Sequence, residues 1–252
     1  MHRPRSPVCG TIAAMTAPDF LQHFDDEHER FIGACSRAGA LAEVPGCPGW
    51  TVSDLVFHAY EVQYLWHRVV AETRDAFEGL RLPTRHEGAA AVDVLRGEHA
   101  GYAAVLRAAP ADTPQWTWVG VRDLGWLARR MAHEMLVHRL DAEQAAGIVG
   151  EVAPELASDG VDEFLSVFLG QSNGPITGTV HLHCTDVEGE WMVRPEGDAL
   201  VVTREHAKGD CAIRGRAVDI LLALWRRGPL SACEVIGDAE LAAAFVAASS
   251  LD

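Results

Sequence analysis

The chain has 252 residues, 48% of them hydrophobic, which is long for one core and short for three, so two domains are expected. A formal net charge of −15 argues against nucleic-acid phosphates and anionic membrane surfaces as partners and leaves small molecules. No stretch approaches the roughly 18 uninterrupted apolar residues of a membrane span.

Residues 1–18 carry basic side chains without an apolar core of useful length, so they are read as a disordered or misassigned start, with Met15 as the alternative initiator, and not as a signal peptide. Residues 19–41 predict a helix because Phe20, Phe24, Phe31 and Cys35 recur at helical spacing. The break Pro45-Gly-Cys-Pro-Gly49 follows. Thr51 then opens a second helix, since its hydroxyl can cap the N–H of Asp54, and its stripe runs through Leu55, His58 or Ala59, Val62, Leu65 or Trp66, and Val69. A third, Ala-rich helix covers 88–109 and stops at Pro110. The fourth covers 121–146, with Leu124, Leu127, Met131, Glu134 or Met135, His138 and Ala142 on one stripe. Four such helices predict an antiparallel bundle, in which sites are built from inward side chains of facing helices.

A fifth helix, 154–169, leads to the Gly-Gln-Ser-Asn-Gly-Pro run at 170–175, taken as the boundary between a first domain, 19–170, and a second, 171–252. Beyond it, strands at 178–184, 191–193, 200–203 and 233–236 accompany helices at 216–226 and 238–248, the last capped by Asp238. The predicted fold class is therefore α+β in two domains, a four-helix bundle followed by a small α+β domain. Cysteines at 9, 35, 47, 184, 211 and 233 form no Cys-x-x-Cys pair, which argues against a zinc knuckle or redox dithiol and suits reduced thiols in the cytoplasm.

Glu134 and His138 carry the functional signal. Four residues apart, they lie about 40° apart around a helix and project together. His133 and His138 are separated by roughly 140°, so the run is not the His-Glu-x-x-His pattern of zinc proteases. A histidine from a neighbouring helix would complete a two-His, one-carboxylate metal site with open positions, and His58 lies on the stripe of its own helix. An internal Glu–His hydrogen bond, or a helix rotated to solvate the pair, meets the same need to satisfy a carboxylate that is costly to bury. Asp141, one turn beyond His138, can accept the N–H of that ring's unbound nitrogen or pair with Arg139 or Arg130. His181 and His183 share one strand face and form the competing metal pair, with no further ligand candidate beside them in sequence.

Two segments, Cys47-Pro-Gly-Trp-Thr-Val-Ser-Asp-Leu-Val-Phe-His58 and Met131-Ala-His-Glu-Met-Leu-Val-His-Arg-Leu-Asp-Ala-Glu143, resemble the mycothiol-dependent maleylpyruvate isomerase family. In the second half, Val180-His-Leu-His-Cys-Thr-Asp186 and Gly215-Arg-Ala-Val-Asp-Ile-Leu-Leu222 extend the resemblance over nearly the whole chain from about residue 19. The resemblance implies a DinB-like bundle, a second domain similar to sterol carrier proteins, and a divalent metal, usually zinc, held by His58, Glu134 and His138. It also implies a catalytic arginine in the second domain, for which Arg227 is the best match, although the doublet Arg226-Arg227 blurs the alignment. The implied chemistry is attack of mycothiol on an electrophilic small molecule, as a cis–trans isomerase or a thiol S-transferase, in a monomer or homodimer. A non-catalytic lipid or small-molecule binder, a zinc hydrolase using water, and a metal-dependent regulator that binds a partner protein are the competing classes.

Overall fold

The computed structural model describes residues 15–169, 176–197 and 199–248; positions 1–14 of the predicted 1–18 start and the boundary run at 170–175 lie outside them, while Ala17 and Pro18 of that start already belong to a helix. Helix α1 spans Ala17–Ala38 and begins two residues before the predicted position, because Asp19 Oδ2 accepts the Thr16 N–H at 2.8 Å. It ends at Gly39, whose φ of +86° suits a residue without a Cβ and turns the chain out of the helix. Helix α2, Val52–Ala71, has Thr51 as its cap, with Thr51 Oγ1 accepting the Asp54 N–H and Asp54 Oδ2 accepting the Thr51 N–H at 2.8 Å. Helix α3 is Gly88–Ala108 and α4 is Leu124–Ala145.

Residues 121–123, predicted as the first turn of the fourth helix, instead form strand β2, Gly120–Asp123, paired antiparallel with β1, Pro114–Thr117. Asp123 sits at their junction and its Oδ1 accepts the Trp126 N–H at 2.7 Å, so the helix starts where a cap exists. The aromatic residues Trp116 and Trp118 of this hairpin pack with Trp66 and Trp126.

In the bundle α1 packs along α4 and α2 along α3, around Phe24, Phe31, Leu55, Leu95, Tyr102, Leu127, Met131 and Leu136. The fourth helix is buried nearly all round and not on one stripe, because α1, α2 and α5 (Pro154–Glu163) all contact it. Its polar residues on the other faces are paired inside the protein. A π-helical turn, Phe164–Phe168, continues α5.

The second half is a five-stranded sheet in the order β5-β4-β3-β6-β7, with β3 Val180–Cys184, β4 Glu190–Glu196, β5 Ala199–Thr203, β6 Cys211–Gly215 and β7 Glu234–Gly237. Strand β6, absent from the predicted elements, pairs parallel with β3, and the other neighbours are antiparallel. Helices α6, Ala217–Leu224, and α7, Ala239–Ala248, cover one face over Leu182, Ile213, Ile220 and Phe245. Asp238 Oδ1 accepts the N–H groups of Glu240 and Leu241, each at 3.0 Å, and caps α7. Among the described residues no helix is long and apolar enough to cross a membrane.

Candidate metal centre and its cleft

His58 on α2 meets Glu134 and His138 on α4. His58 Nε2 lies 3.3 Å and His138 Nε2 3.2 Å from one oxygen, Glu134 Oε1, and the three atoms fall within 4.8 Å of one another. A tetrahedral ion with bonds of about 2.0–2.1 Å has edges of about 3.3–3.4 Å, so two of the three spacings match atoms gathered round one ion. The donor set, two imidazoles and one carboxylate, is one that zinc and its neighbours accept. The residues therefore fit a divalent metal. The other carboxylate oxygen of Glu134 is bonded by Arg130, whose second arm goes to the buried Glu163 of α5, which leaves Oε1 as the single donor.

Burial alone favours the protonated form of Glu134, but Arg130 and then His138 outweigh it and hold the carboxyl well below the usual carboxylate range. Burial likewise opposes charge on His138, yet Glu134 and Asp141 raise its pKa to about 9. A cation binding at Nε2 would therefore have to displace a proton.

Behind the three donors lies a supporting layer. Asp141, fully buried, has Oδ2 3.1 Å from His138 Nδ1 and so fixes the tautomer that presents Nε2 forward. Arg227 Nε donates to Asp141 Oδ1 at 3.2 Å, and its Nη2 reaches Cys47 Sγ at 3.4 Å. Cys47 donates to Asp141 Oδ2 at 3.5 Å. Cys47, His138 and Asp141 are also close enough to form a metal trio. The Arg227 guanidinium in contact with two of them makes that trio a poor cation site. Gly46 permits the arrangement, since a Cβ there would collide with Asp141 Oδ1 and come within 3.1 Å of Arg227 Cγ.

Arg227 reaches this layer because α6 ends in a left-handed turn. Arg226 has φ +55°, and the N–H groups of Arg227 and Gly228 both return to Leu222 O, at 2.8 and 3.1 Å. Gln144 Nε2 of α4 holds the Arg227 carbonyl at 2.9 Å. Both arginines line the cleft, while Arg227 is the one hydrogen-bonded to Asp141.

His133 points to another side of α4, with Nδ1 3.1 Å from Glu163 Oε2 and Nε2 3.2 Å from Asp159 Oδ1. Among the described residues Asp141 pairs with His138 and Arg227, while Arg139 turns to Glu27 and Glu143 and Arg130 to Glu134 and Glu163.

The centre lies in a cleft of about 820 Å³ between the bundle and the second half. Sequence reasoning did not find its aromatic walls, Trp118, Phe168 and Trp225, or the roles of Gly46 and Cys47. Trp50 and Cys47 were visible as members of the motif before His58, but the others come from a hairpin, a π turn and a helix end that no spacing rule joins.

Residues 21–143 match the family model for the mycothiol maleylpyruvate isomerase N-terminal domain, and residues 155–244 match the model for the MDMPI C-terminal domain. No curated protein sequence matches the chain. A solved structure of the mycothiol-dependent maleylpyruvate isomerase superposes with a TM-score of 0.62 at 15% identity, covering 88% of this chain and 93% of that one. A histidine-to-alanine mutant of that enzyme gives the same TM-score and coverage at 14% identity. With both domain models of one family matched in order along the sequence, and with the fold shared, the chain belongs to the mycothiol-dependent maleylpyruvate isomerase family.

Proposed function

We propose that this protein uses mycothiol, held at a divalent metal, to attack an electrophilic small molecule in the cytoplasm, as a cis–trans isomerase of the maleylpyruvate type or as a thiol S-transferase. In this reading residues 19–170 carry the metal and residues 171–252 close the cleft over it. The observation that carries the reading is the convergence of His58 Nε2, Glu134 Oε1 and His138 Nε2 at the cleft. His58, Glu134 and His138 would hold a divalent ion, zinc by ligand type, which when bound would supply the acidity that favours a thiolate over a thiol near neutral pH.

The protein's own described cysteines are poor sources of that thiolate. Burial, then Asp141, pushes the Cys47 thiol up to about 11, and burial raises Cys35 and Cys184 to about 12. An external thiol is therefore the better nucleophile. Asp141 holds His138 in its ligating tautomer and at the same time orients Arg227.

Arg227 and Arg226 are the candidate catalytic cations. As sulfur adds to a cis double bond conjugated with a carbonyl, negative charge moves to the carbonyl oxygen, and either guanidinium can meet it, or a substrate carboxylate, with charge-assisted hydrogen bonds. Trp50, Trp118, Phe168 and Trp225 form apolar walls that limit water around the sulfur and favour a flat, unsaturated substrate. The cleft volume leaves room for the adduct to rotate about the former double bond and expel its thiol as the trans isomer, or to depart with the sulfur attached.

The reading is tested by incubating the metal-loaded full chain with mycothiol and cis-unsaturated keto acids or other electrophiles. Products are followed by NMR for isomerisation and by mass spectrometry for a thiol adduct. The expected result is a product formed only when the thiol is present. Turnover without any low-molecular-weight thiol would overturn the reading and point to water as the nucleophile.

A further inference from the structure

On the sheet, away from the cleft, three histidines and a glutamate converge. His181 and His183 are two apart on β3 and project from one face. The register places Glu190 of β4 directly opposite His183, where facing side chains start only about 4.5–5.5 Å apart. Pairing of β5 with β4 ends at Thr203 opposite Met192, so the chain that follows runs on beside Glu190. Two anchors hold this loop. Arg204 donates to Asp162 Oδ1 of α5 at 2.7 Å, and Glu205 accepts from Arg194 at 2.7 Å. They deliver His206, whose Nδ1 lies 2.6 Å from Glu190 Oε2.

One carboxylate is a poor match for three imidazoles. His183 Nδ1 lies 3.1 Å from Glu190 Oε1, while His181 Nε2 and His206 Nδ1 share Oε2, the former at 3.4 Å. The His181 nitrogen is buried and makes no hydrogen bond of acceptable geometry, so its lone pair or proton is left unsatisfied. One ligand atom from each of the four residues lies within 4.8 Å of all the others. Arg214, the cross-strand neighbour of His183 on β6, turns to Glu234 at 3.0 Å and leaves the cluster to Glu190.

We propose that His181, His183, Glu190 and His206 form a second divalent-metal site, which fastens the loop between β5 and β6 to the sheet. Three nitrogens and one oxygen make a complete tetrahedral set from the protein alone, as in closed structural sites and unlike the three-ligand centre in the cleft. Imidazole-rich donors select zinc, nickel or copper over magnesium and calcium.

The test is calorimetric titration of the metal-free full chain with Zn²⁺ alone. Two binding events are expected. His206→Ala, at a side chain 77% exposed and so harmless to the fold, removes or weakens one event by more than the roughly 10–100-fold lost with an outer-shell partner. His183→Ala acts on the same event, and His58→Ala acts on the other. NMR of the wild type should show the His181 and His206 rings shifting together as that event saturates. The proposal is overturned by a single event that His58→Ala abolishes, or by two events that His206→Ala and His183→Ala both leave intact. A single event abolished by His206→Ala would support this site and count instead against the metal in the cleft.

Discussion

Asp141 joins three parts of the centre through one buried carboxylate: the ring of His138, the guanidinium of Arg227 and the thiol of Cys47. Gly46 packs so closely on it that a methyl group there would have to displace its Oδ1. Gly46→Ala should therefore weaken metal binding by about 10–100-fold, as Asp141→Asn should, without unfolding the protein. Titration calorimetry checks both, and an unchanged affinity in either would remove Asp141 from the support of the centre. A second residue, His28 on α1, is fully buried, stacked on His99 with ring centroids 3.8 Å apart, and has neither ring nitrogen hydrogen-bonded. Burial, and then the neighbouring His99 and Arg96, lowers its pKa from 6.5 to about 3. Above the unfolded value both states are neutral and nothing is lost. As the pH falls from about 6.5 toward 3, the unfolded chain takes up a proton that the folded one refuses, at up to about 1.4 kcal/mol per pH unit. His28→Leu should flatten this acid loss of stability, measured as the urea-unfolding free energy between about pH 6 and pH 4. An identical slope in the variant would show that His28 is not its source.

Helix α4 concentrates the protein's buried charge. Arg139, with no exposed surface, donates Nε to Glu27 Oε2 and Nη1 to Glu143 Oε2, both at 2.6 Å, and Arg130 bridges Glu134 to Glu163. Removing one member strands the others in a low-dielectric interior. Arg139→Ala should cost about 3–5 kcal/mol, read from chemical denaturation, and Glu27→Gln with Glu143→Gln in the same chain should recover part of it. A loss well under 1 kcal/mol, the scale of a surface pair, would contradict this account. This helix also shows what could be read from the chain alone. The spacing of Glu134 and His138 fixes a shared face whatever surrounds the helix, and the Thr51 cap and the Phe20, Phe24, Phe31 stripe are local signals of the same kind. That α4 is enclosed on every side depends on packing by α5 and α1, which a periodicity of 3.6 does not encode. Strand β6 was missed because Cys211-Ala-Ile-Arg-Gly215 borrows its strand character from the parallel partner β3. Residues 121–123 of β2 were absorbed into the fourth helix because Val121 falls in phase with Leu124, and β1 was assigned to no element.

At the level of the whole molecule, the bundle brings His58, Glu134 and His138 together, and the second half adds Trp225, Arg226 and Arg227 to the lining of the cleft. Arg227 enters from the end of α6, Gln144 of α4 holds its carbonyl, and Trp225 stacks edge-on against Phe168 across the π turn. The two-domain α+β architecture was legible from composition shifts and helix punctuation, but the junction of the halves was not. It is made by contacts that no local pattern encodes, such as that of Phe168 with Trp225 and that of Asp141 with Arg227, 86 residues apart in sequence. Pairing of β3 with β4, and the chain that follows β5, bring Glu190 and His206 to the histidine pair of β3, which sequence left without partners. The central claim is that His58, Glu134 and His138 hold one divalent ion in the cleft. Elemental analysis of the wild type and of His58→Ala, purified identically and loaded with zinc, tests it most directly. The account predicts one metal equivalent fewer in the variant, with the sheet cluster unaffected; equal metal content in the two proteins would contradict it.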